Sequence, residues 1–194
     1  MVILSAWDER FLGLATLIAS WSKDPSTKVG AVAVGYTPNI LATGFNGLPP
    51  GLCDDERLND REWKLDHVVH AEMNVLANAT FKVRTLYVTQ PCCHRCAVHI
   101  LSHRSVERVV CLQTPEFMSR WADSVEKTRG VLGEAGVKFE TIAAPVVEQS
   151  CLQRATALIQ MLLNGQSDDL FEVEEEARAQ LKAWGLKVPE PKEF

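Results

Sequence analysis

The sequence of 194 residues lacks several features that define whole classes of protein. It contains no apolar run near the roughly 18 residues that cross a bilayer. Its first residues lack the basic segment of a secretory signal and reach the acids Asp8 and Glu9 early. It also has no internal repeat and no low-complexity segment. We therefore expect a cytoplasmic protein that has no membrane partner.

An excess of positive charge is also absent. The chain has 20 Lys and Arg against 25 Asp and Glu, so its formal net charge is -5. This balance argues against a protein whose main work is to grip nucleic acid backbone, and no nucleic acid partner is expected. A small anionic ligand needs only a few local cations. Hydrophobic residues at 46% and charged residues at 23% are typical of a folded protein and exclude general disorder.

The six cysteines are unevenly spaced along the chain. They occupy Cys53, Cys92, Cys93, Cys96, Cys111 and Cys151, so that three of the six fall within five residues. Such crowding is typical of a metal site and not of a disulfide framework.

Apolar periodicity predicts strands that alternate with helices. Helices are expected at residues 6–20, at 70–79, from 93 onward and at 119–135, and strands at 29–34, 40–45, 85–89, 106–112 and 137–142. The first two strands are close enough to form a hairpin. The polar stretch 54–66 is predicted to be a long functional loop. This order favours an α/β layered fold with one mixed sheet.

The last part of the chain has a different pattern. Two helical stripes of apolar residues, at residues 152–163 and 170–184, follow the α/β segment. We expect two parts, a domain at 1–148 and a C-terminal helical extension at 149–194. The extension either packs on the same core or contacts a neighbouring subunit, and the sequence leaves both possibilities open.

Four residues in two short motifs indicate metal chemistry. His70 precedes Glu72 by two positions, and Cys93 precedes Cys96 by three. Both motifs lie near the predicted start of a helix, where thiols ionise more easily. One imidazole and two thiolates leave the fourth position of a tetrahedral zinc open for water, which is the catalytic pattern. Zinc lowers the pKa of that water from about 15.7 towards about 7, and Glu72 would move its protons without being a ligand.

The H-x-E and C-x-x-C motifs together form the signature of zinc deaminases. Three segments extend the similarity: SKDPSTKVGA at 22–31, GFNGLP at 44–49 and HAEMN at 70–74. In order and spacing they resemble the deoxycytidylate (dCMP) deaminases of the cytidine/deoxycytidylate deaminase family. The resemblance covers about residues 5–145 and leaves out the extension.

The resemblance implies a fold and an activity. The fold is a three-layer α/β/α cytidine deaminase-like arrangement with a mixed central sheet of about five strands. The reaction is hydrolytic deamination of dCMP to dUMP by a zinc-activated hydroxide that attacks C4 of cytosine, and it feeds thymidylate synthesis. Glu72 is the implied catalytic residue, and His70, Cys93 and Cys96 are the implied zinc ligands.

The resemblance also implies partners and binding residues. Asn46 would hydrogen-bond the sugar, and the Ala71 backbone would contact the base. Family members are often hexamers that dCTP activates and dTTP inhibits, with Mg²⁺ accompanying the triphosphate. Residues from Gly47 to Arg57 would form part of such an allosteric site.

The sequence departs from the family pattern at the first zinc cysteine. The family has a proline directly before that cysteine, whereas here Pro91 is followed by Cys92 and then Cys93. We favour Cys93 with Cys96, because C-x-x-C is the usual ligand spacing. Cys92 with Cys96, at i and i+4, is the alternative that helix geometry leaves open.

Phosphate recognition requires cations near the zinc site. Arg61 and Lys64 lie in the segment that leads into His70, and so does Arg57. Arginine is favoured because its guanidinium binds phosphate with two parallel hydrogen bonds. Lys28 and Ser22 are weaker candidates.

Three other functions stay open at this point. An editing deaminase would act on a flipped base in RNA or DNA, which the charge of -5 disfavours. A deaminase of 5-methyl- or 5-hydroxymethyl-dCMP would use a pocket that Cys92 alters near the base. A non-catalytic, zinc-stabilised nucleotide-binding protein would close the metal site with Cys92 or His94, but it would have no use for Glu72.

Overall fold

Five strands and five α-helices, with one short 3-10 helix, alternate along residues 4–143, the part of the chain that this computed structural model describes. The elements are α1 (Ala6–Ala19), β1 (Gly30–Val34), β2 (Ile40–Phe45), the 3-10 helix (Glu56–Asn59), α2 (Arg61–His67), α3 (Ala71–Asn78), β3 (Thr85–Val88), α4 (His94–Ser102), β4 (Arg108–Gln113), α5 (Pro115–Glu134) and β5 (Lys138–Ala143). The predicted extension, 149–194, lies outside the described residues. None of the described helices is both long and apolar enough to cross a membrane.

The five strands form one mixed sheet in the order β2-β1-β3-β4-β5. β1 pairs antiparallel with both β2 and β3, whereas β3, β4 and β5 run parallel. Parallel neighbours need a long crossover, and α4 and α5 supply the two crossovers here. The mixed sheet of about five strands predicted from the sequence is therefore confirmed.

Helices cover both faces of this sheet. Alternate residues of a strand point to opposite faces. Val32 and Tyr87 pack in one apolar cluster with Phe11 of α1. Their neighbours Ala31 and Leu86 belong to a second cluster, which contains residues of α3, α4 and α5. The result is the predicted three-layer α/β/α arrangement.

The backbone of α3 lies unusually close to strand β2. A Cβ atom added at Gly44 would lie 2.6 Å from the backbone nitrogen of Val75 and 3.0 Å from the carbonyl oxygen of Ala71. The Asn74 side chain also donates a 3.0 Å hydrogen bond to the carbonyl of Phe45. Glycine at position 44 thus allows the sheet to fix the start of α3, which carries His70 and Glu72.

Two predictions of local structure were wrong, one of a loop and one of the start of a helix. The stretch 54–66 is mostly helical, because Asp55 and Asp60 accept backbone hydrogen bonds at the starts of the 3-10 helix and of α2. Helix α5 begins at Pro115 and not at residue 119, since Thr114 caps it and proline suits a first helical position.

Candidate active site

Two helix starts meet at the inner end of a cleft. His70 is the N-cap residue of α3, and Cys93 is the N-cap residue of α4. Cys96 lies one turn into α4 and is fully buried. The free N–H groups at a helix start stabilise negative charge, so both helices favour the thiolate forms of these cysteines.

The three side chains are close enough to bind one ion. Their ligand atoms all lie within 4.8 Å of one another. The Nδ1 atom of His70 is 3.6 Å from the Cys93 sulfur and 3.3 Å from the Cys96 sulfur. One imidazole nitrogen and two thiol sulfurs are a donor set that zinc prefers, and three protein ligands leave a fourth position for water. The residues present therefore fit zinc.

The same three groups shift each other's ionisation. The contact with Cys96 lowers the pKa of the Cys93 thiol to about 3. That contact raises the pKa of the Cys96 thiol well above its ordinary value. The hydrogen bond to Cys93 raises the pKa of the His70 imidazole to about 9, although burial opposes this rise. Protons are thus held within the cluster, and a bound metal ion would displace them.

Glu72 lies in the first turn of α3, with only 4% of its surface exposed. Burial raises the pKa of its carboxyl group, the positive charge of His70 opposes the rise, and Cys93 adds to it. A carboxyl group that protonates more easily than usual is suited to carry protons during a reaction.

The cleft has a volume of about 310 Å³ and is lined by Glu72, His70 and Cys93 as well as by Ala71, Asn46, Arg61 and Lys64. All of these residues were predicted from the sequence to belong to the site. Arg61 is exposed at the cleft. The cleft is large enough for a small ligand, and its lining contains the candidate proton carrier and two of the three candidate metal ligands, His70 and Cys93.

Comparison with known proteins identifies the chain. Residues 5–113 match the model of the cytidine and deoxycytidylate deaminase zinc-binding region. The chain belongs to this family. The family model and the His/Cys/Cys cluster together support zinc as the metal of this deaminase.

Individual relatives of the deaminase agree with this assignment. This chain is 37% identical over 149 residues to an uncharacterised deaminase from the luxG 3' region of Aliivibrio fischeri. The match covers 75% of this chain and 100% of the relative. The chain is 36% identical over 146 residues to the deoxycytidylate deaminase of Mus musculus, covering 69% of this chain and 78% of the relative. The apo dCMP deaminase of cyanophage S-TIM5 superposes with a TM-score of 0.54 at 25% identity, covering 72% of this chain and 100% of that one. The predicted family, fold and hydrolytic deaminase class are confirmed.

Cys92 is not one of the three residues of the ligand cluster of the deaminase. Its side chain is fully buried, with its sulfur 3.8 Å from that of Cys111. Its carbonyl oxygen accepts a 2.9 Å hydrogen bond from Thr128 on α5. Cys92 is also outside the lining of the cleft. The structure thus brings Cys93, and not Cys92, together with His70 and Cys96.

Asn46 and Lys64 support the cleft wall through internal contacts. Asn46 accepts a 2.7 Å hydrogen bond from the Val29 amide and donates one of 2.9 Å to the Thr27 carbonyl. The Lys64 ammonium is buried, forms a 2.9 Å ion pair with Asp24 and donates to the Ser26 hydroxyl. Because Asp24 neutralises the charge of Lys64, this side chain can contribute little to binding an anionic ligand.

Arg57 and Gly47 lie outside the cleft lining. The Arg57 guanidinium pairs with Asp55 at 2.8 Å and lies 4.7 Å from the centre of the Trp63 ring. Gly47 forms an isolated backbone bridge with Val69. The structure therefore does not bring these two predicted allosteric residues to the substrate cleft.

Helix α5 adds cleft residues that the sequence analysis missed. Phe117, Arg120 and Trp121 line the cleft from the first two turns of α5, and Gln90 lines it from the segment that follows β3. The Thr114–Pro115 pair was a readable helix-start signal. No sequence signal indicated that this start lines the same cleft as His70, because that placement depends on how the crossover folds back.

Proposed function

We propose that this deaminase converts dCMP to dUMP, with His70, Cys93 and Cys96 as zinc ligands and Glu72 as the proton carrier. The observation that carries the proposal is the convergence of the ligand atoms of these three residues within 4.8 Å, with a buried glutamate in the same cleft. The murine relative is a deoxycytidylate deaminase, which supports dCMP as the substrate.

The reaction is a hydrolysis at C4 of the cytosine ring. Zinc, when bound by the three ligands, supplies a water molecule that is more acidic than bulk water. Glu72 takes a proton from the water and passes it to the ring nitrogen N3. The C4–oxygen bond forms, and Glu72 then takes the remaining proton from that oxygen and delivers it to the amine. The C4–nitrogen bond breaks, ammonia leaves, and the oxygen stays on C4 as a carbonyl. The raised pKa of Glu72 suits both transfers.

The cleft residues next to the cluster hold the rest of the substrate. Ala71 lines the cleft between His70 and Glu72, and by the family resemblance its backbone contacts the base. Asn46 lines the cleft and, by the family resemblance, contacts the sugar. Arg61 is an exposed cation on the same cleft and a candidate for the phosphate. The dCTP and dTTP effectors, the accompanying Mg²⁺, the hexamer and the cytoplasmic location stay predictions.

Replacement of Glu72 by Gln tests the catalytic role. We expect deamination of dCMP to fall by a factor of about 10²–10⁴, because general acid–base catalysis contributes that much. The zinc content of the purified protein should stay at that of the unaltered chain. Glu126→Gln, an exposed change on α5, is the control and should leave both quantities unchanged.

An assay with several substrates distinguishes dCMP deamination from the other activities, which are deamination of 5-substituted dCMP and of bases in nucleic acid. Zinc-loaded protein is assayed with dCMP, deoxycytidine, 5-methyl-dCMP and single-stranded DNA. Preferred turnover of dCMP supports the proposal, whereas preference for the 5-methyl compound or for DNA contradicts it. A Glu72→Gln variant that keeps its full rate would contradict the mechanism.

A further inference from the structure

A buried ion pair lies at the wall of the active-site cleft, outside the metal cluster. The Lys64 ammonium of α2 is 2.9 Å from the Asp24 carboxylate, and the two side chains are only 10% and 8% exposed. Both residues line the cleft. Charges are costly to remove from water, and a buried ion pair often stabilises a fold no more than well-packed apolar side chains would. Stability alone therefore does not account for a charged pair at this place.

The Asp24 carboxylate connects three segments of the cleft wall. Its Oδ1 atom accepts hydrogen bonds from the backbone amides of Ser26 and Thr27, at 2.8 and 3.0 Å, and from Lys64. Its Oδ2 atom accepts a 3.4 Å hydrogen bond from the side-chain amide of Asn46. Burial raises the pKa of Asp24, but the hydrogen bonds from the Thr27 amide and from Lys64 outweigh it and hold the pKa below its usual value. The carboxylate is thus ionised at neutral pH and acts only as an acceptor.

These contacts fix the orientation of the Asn46 amide. Its Oδ1 atom accepts a 2.7 Å hydrogen bond from the Val29 N–H, and its nitrogen donates to the Thr27 carbonyl at 2.9 Å as well as to Asp24. Reversing the amide would set donor against donor at Val29 and acceptor against acceptor at Thr27. Both amide protons are directed at protein acceptors, whereas Oδ1 has a second lone pair. Asn46 therefore has acceptor capacity left for a ligand and no donor capacity.

We propose that Asp24 and Lys64 are positioning residues, which hold the Asn46 amide so that its oxygen accepts a hydrogen bond from the sugar hydroxyl of the nucleotide. Lys64 neutralises Asp24 and holds it in place, and Asp24 holds the nitrogen of the Asn46 amide. The ion pair acts through Asn46 and touches neither the phosphate nor the base. This inference rests on the proposed function, and it gives Lys64 a role other than the phosphate contact expected from the sequence.

Asp24→Asn tests the positioning role at nearly constant size. The new side chain keeps one oxygen for the backbone amides, but it places an NH₂ group against the NH₂ group of Asn46. By calorimetry, dUMP binding should weaken by about 5- to 10-fold, the size of one hydrogen bond. Binding of 2',3'-dideoxyuridine monophosphate, which lacks the sugar hydroxyl, should weaken by less than about 2-fold. A variant that is only partly folded would lose affinity for both ligands by the same factor, so the ratio distinguishes positioning from folding.

Lys64→Met gives a second variant, which removes the charge and keeps an apolar side chain. It leaves the buried Asp24 carboxylate without its counterion, so we expect the same selective loss, of about 3-fold or more for dUMP. Deoxyuridine has the sugar hydroxyl but no phosphate, and its binding should weaken by the same factor as that of dUMP. Lys23→Met is the matched control: Lys23 pairs with Asp54 at 2.8 Å, its side chain is 69% exposed, and its loss should leave all three affinities unchanged.

A double substitution tests whether Asp24 acts through Asn46. Asn46→Ala removes the sugar contact itself. Asp24→Asn should raise the KM for dCMP by about 5- to 10-fold in the unaltered chain and by less than about 2-fold in the Asn46→Ala background, because both changes remove one contact. In the unaltered chain kcat should change less than KM, since Asn46 contacts a part of the substrate that does not react.

Three results would overturn the inference. The first is an equal loss of affinity for dUMP and the dideoxy compound in Asp24→Asn. The second is a loss in Lys64→Met that is larger for dUMP than for deoxyuridine, which would make Lys64 a phosphate ligand. The third is an undiminished effect of Asp24→Asn in the Asn46→Ala background.

The two proposals fail in different ways. If the unaltered protein binds dUMP more tightly than the dideoxy compound, Asp24→Asn removes that preference, and dCMP is not deaminated, the proposed function fails and the positioning role stands. If dCMP is deaminated and Asp24→Asn leaves the preference unchanged, the positioning role fails alone.

Discussion

Two consecutive cysteines have opposite surroundings in this deaminase. Cys93 has an extended backbone, with φ -76° and ψ 163°, just before α4 begins. Successive side chains of extended chain point in opposite directions. Cys93 therefore faces His70, and Cys92 faces Cys111 in the core. The direction of the backbone at one residue separates a candidate ligand from a packing residue.

Zinc content distinguishes these two cysteines. We expect Cys93→Ala to lose most of its bound zinc, because only two protein ligands would remain. Cys92→Ala should keep about one zinc ion per chain and lose only a small amount of stability. Metal analysis of the two purified variants measures the difference. Loss of zinc from Cys92→Ala, with retention in Cys93→Ala, would favour the other register.

Helix α3 is placed by its contact with strand β2. The helix is only eight residues long, and its position depends on packing more than on its own propensity. Its first residues are Ala71 and Glu72, so a small displacement of the helix moves the Glu72 carboxyl group, the proposed proton carrier. Gly44 is the residue that permits the close approach.

Gly44→Ala tests this placement. The added Cβ would overlap the backbone at Val75, so we expect a loss of about 1–3 kcal/mol in the free energy of unfolding. The value of kcat should fall as well, because Glu72 moves with the helix. Gly13→Ala is the control: position 13 is exposed in α1 and has open space, so this variant should gain up to about 1 kcal/mol. Urea titrations and dCMP assays measure both variants, and equal stabilities would contradict the argument.

Four elements of the whole molecule meet at one buried carboxylate. Asp8 of α1 accepts 2.6 Å hydrogen bonds from the Tyr87 hydroxyl of β3 and from the Arg108 guanidinium of β4. Arg108 also donates 2.7 Å to Glu140 of β5. Burial raises the pKa of Asp8, but the hydrogen bonds from Arg108, Tyr87 and Ser5 outweigh it and hold the pKa well below its usual value. The ionised form therefore stabilises the fold.

The pH dependence of stability follows from the lowered pKa of Asp8. The carboxyl pKa of Asp8 is lower in the folded protein than the value of about 3.9 in the unfolded chain, so its ionised form stabilises the fold above about pH 4. This stabilisation is lost as the pH falls towards the pKa of the folded protein. We expect Asp8→Asn to cost about 2–4 kcal/mol at pH 7, since it leaves the partly buried Arg108 without its main partner. The difference from the unaltered chain should narrow below about pH 4.

Urea titrations at pH 7 and pH 3 check this expectation. Glu126→Gln breaks an exposed pair with Arg129 and should change stability by less than about 0.5 kcal/mol at both values. A difference between Asp8→Asn and the unaltered chain that stays constant or grows on acidification would contradict the assignment.

Local pattern in the sequence was sufficient to predict the strands and the mixed sheet, and it singled out the four residues His70, Glu72, Cys93 and Cys96, which the structure brings together. Strand periodicity, the H-x-E motif and the C-x-x-C motif are short-range signals, and each depends on neighbours only a few residues away. The stretch 54–66 was predicted to be a loop but is mostly helical. Polar residues with N-cap aspartates also form short helices, and composition does not distinguish such helices from a loop.

The tertiary structure alone decided which distant groups share the cleft and which basic side chains form ion pairs within the protein. Lys64 is paired with Asp24, forty positions away, and Arg57 is paired with Asp55, while Arg120 arrives from a helix that follows the metal motif. The Lys64–Asp24 pair and the position of Arg120 depend on a fold that brings remote segments together, whereas Arg57 pairs with a neighbour two positions away. The sequence by itself therefore determined the residue types and short motifs that indicate metal chemistry. The folded chain decided which remote groups share the cleft with them, because the interaction between charges is set by their distance in space.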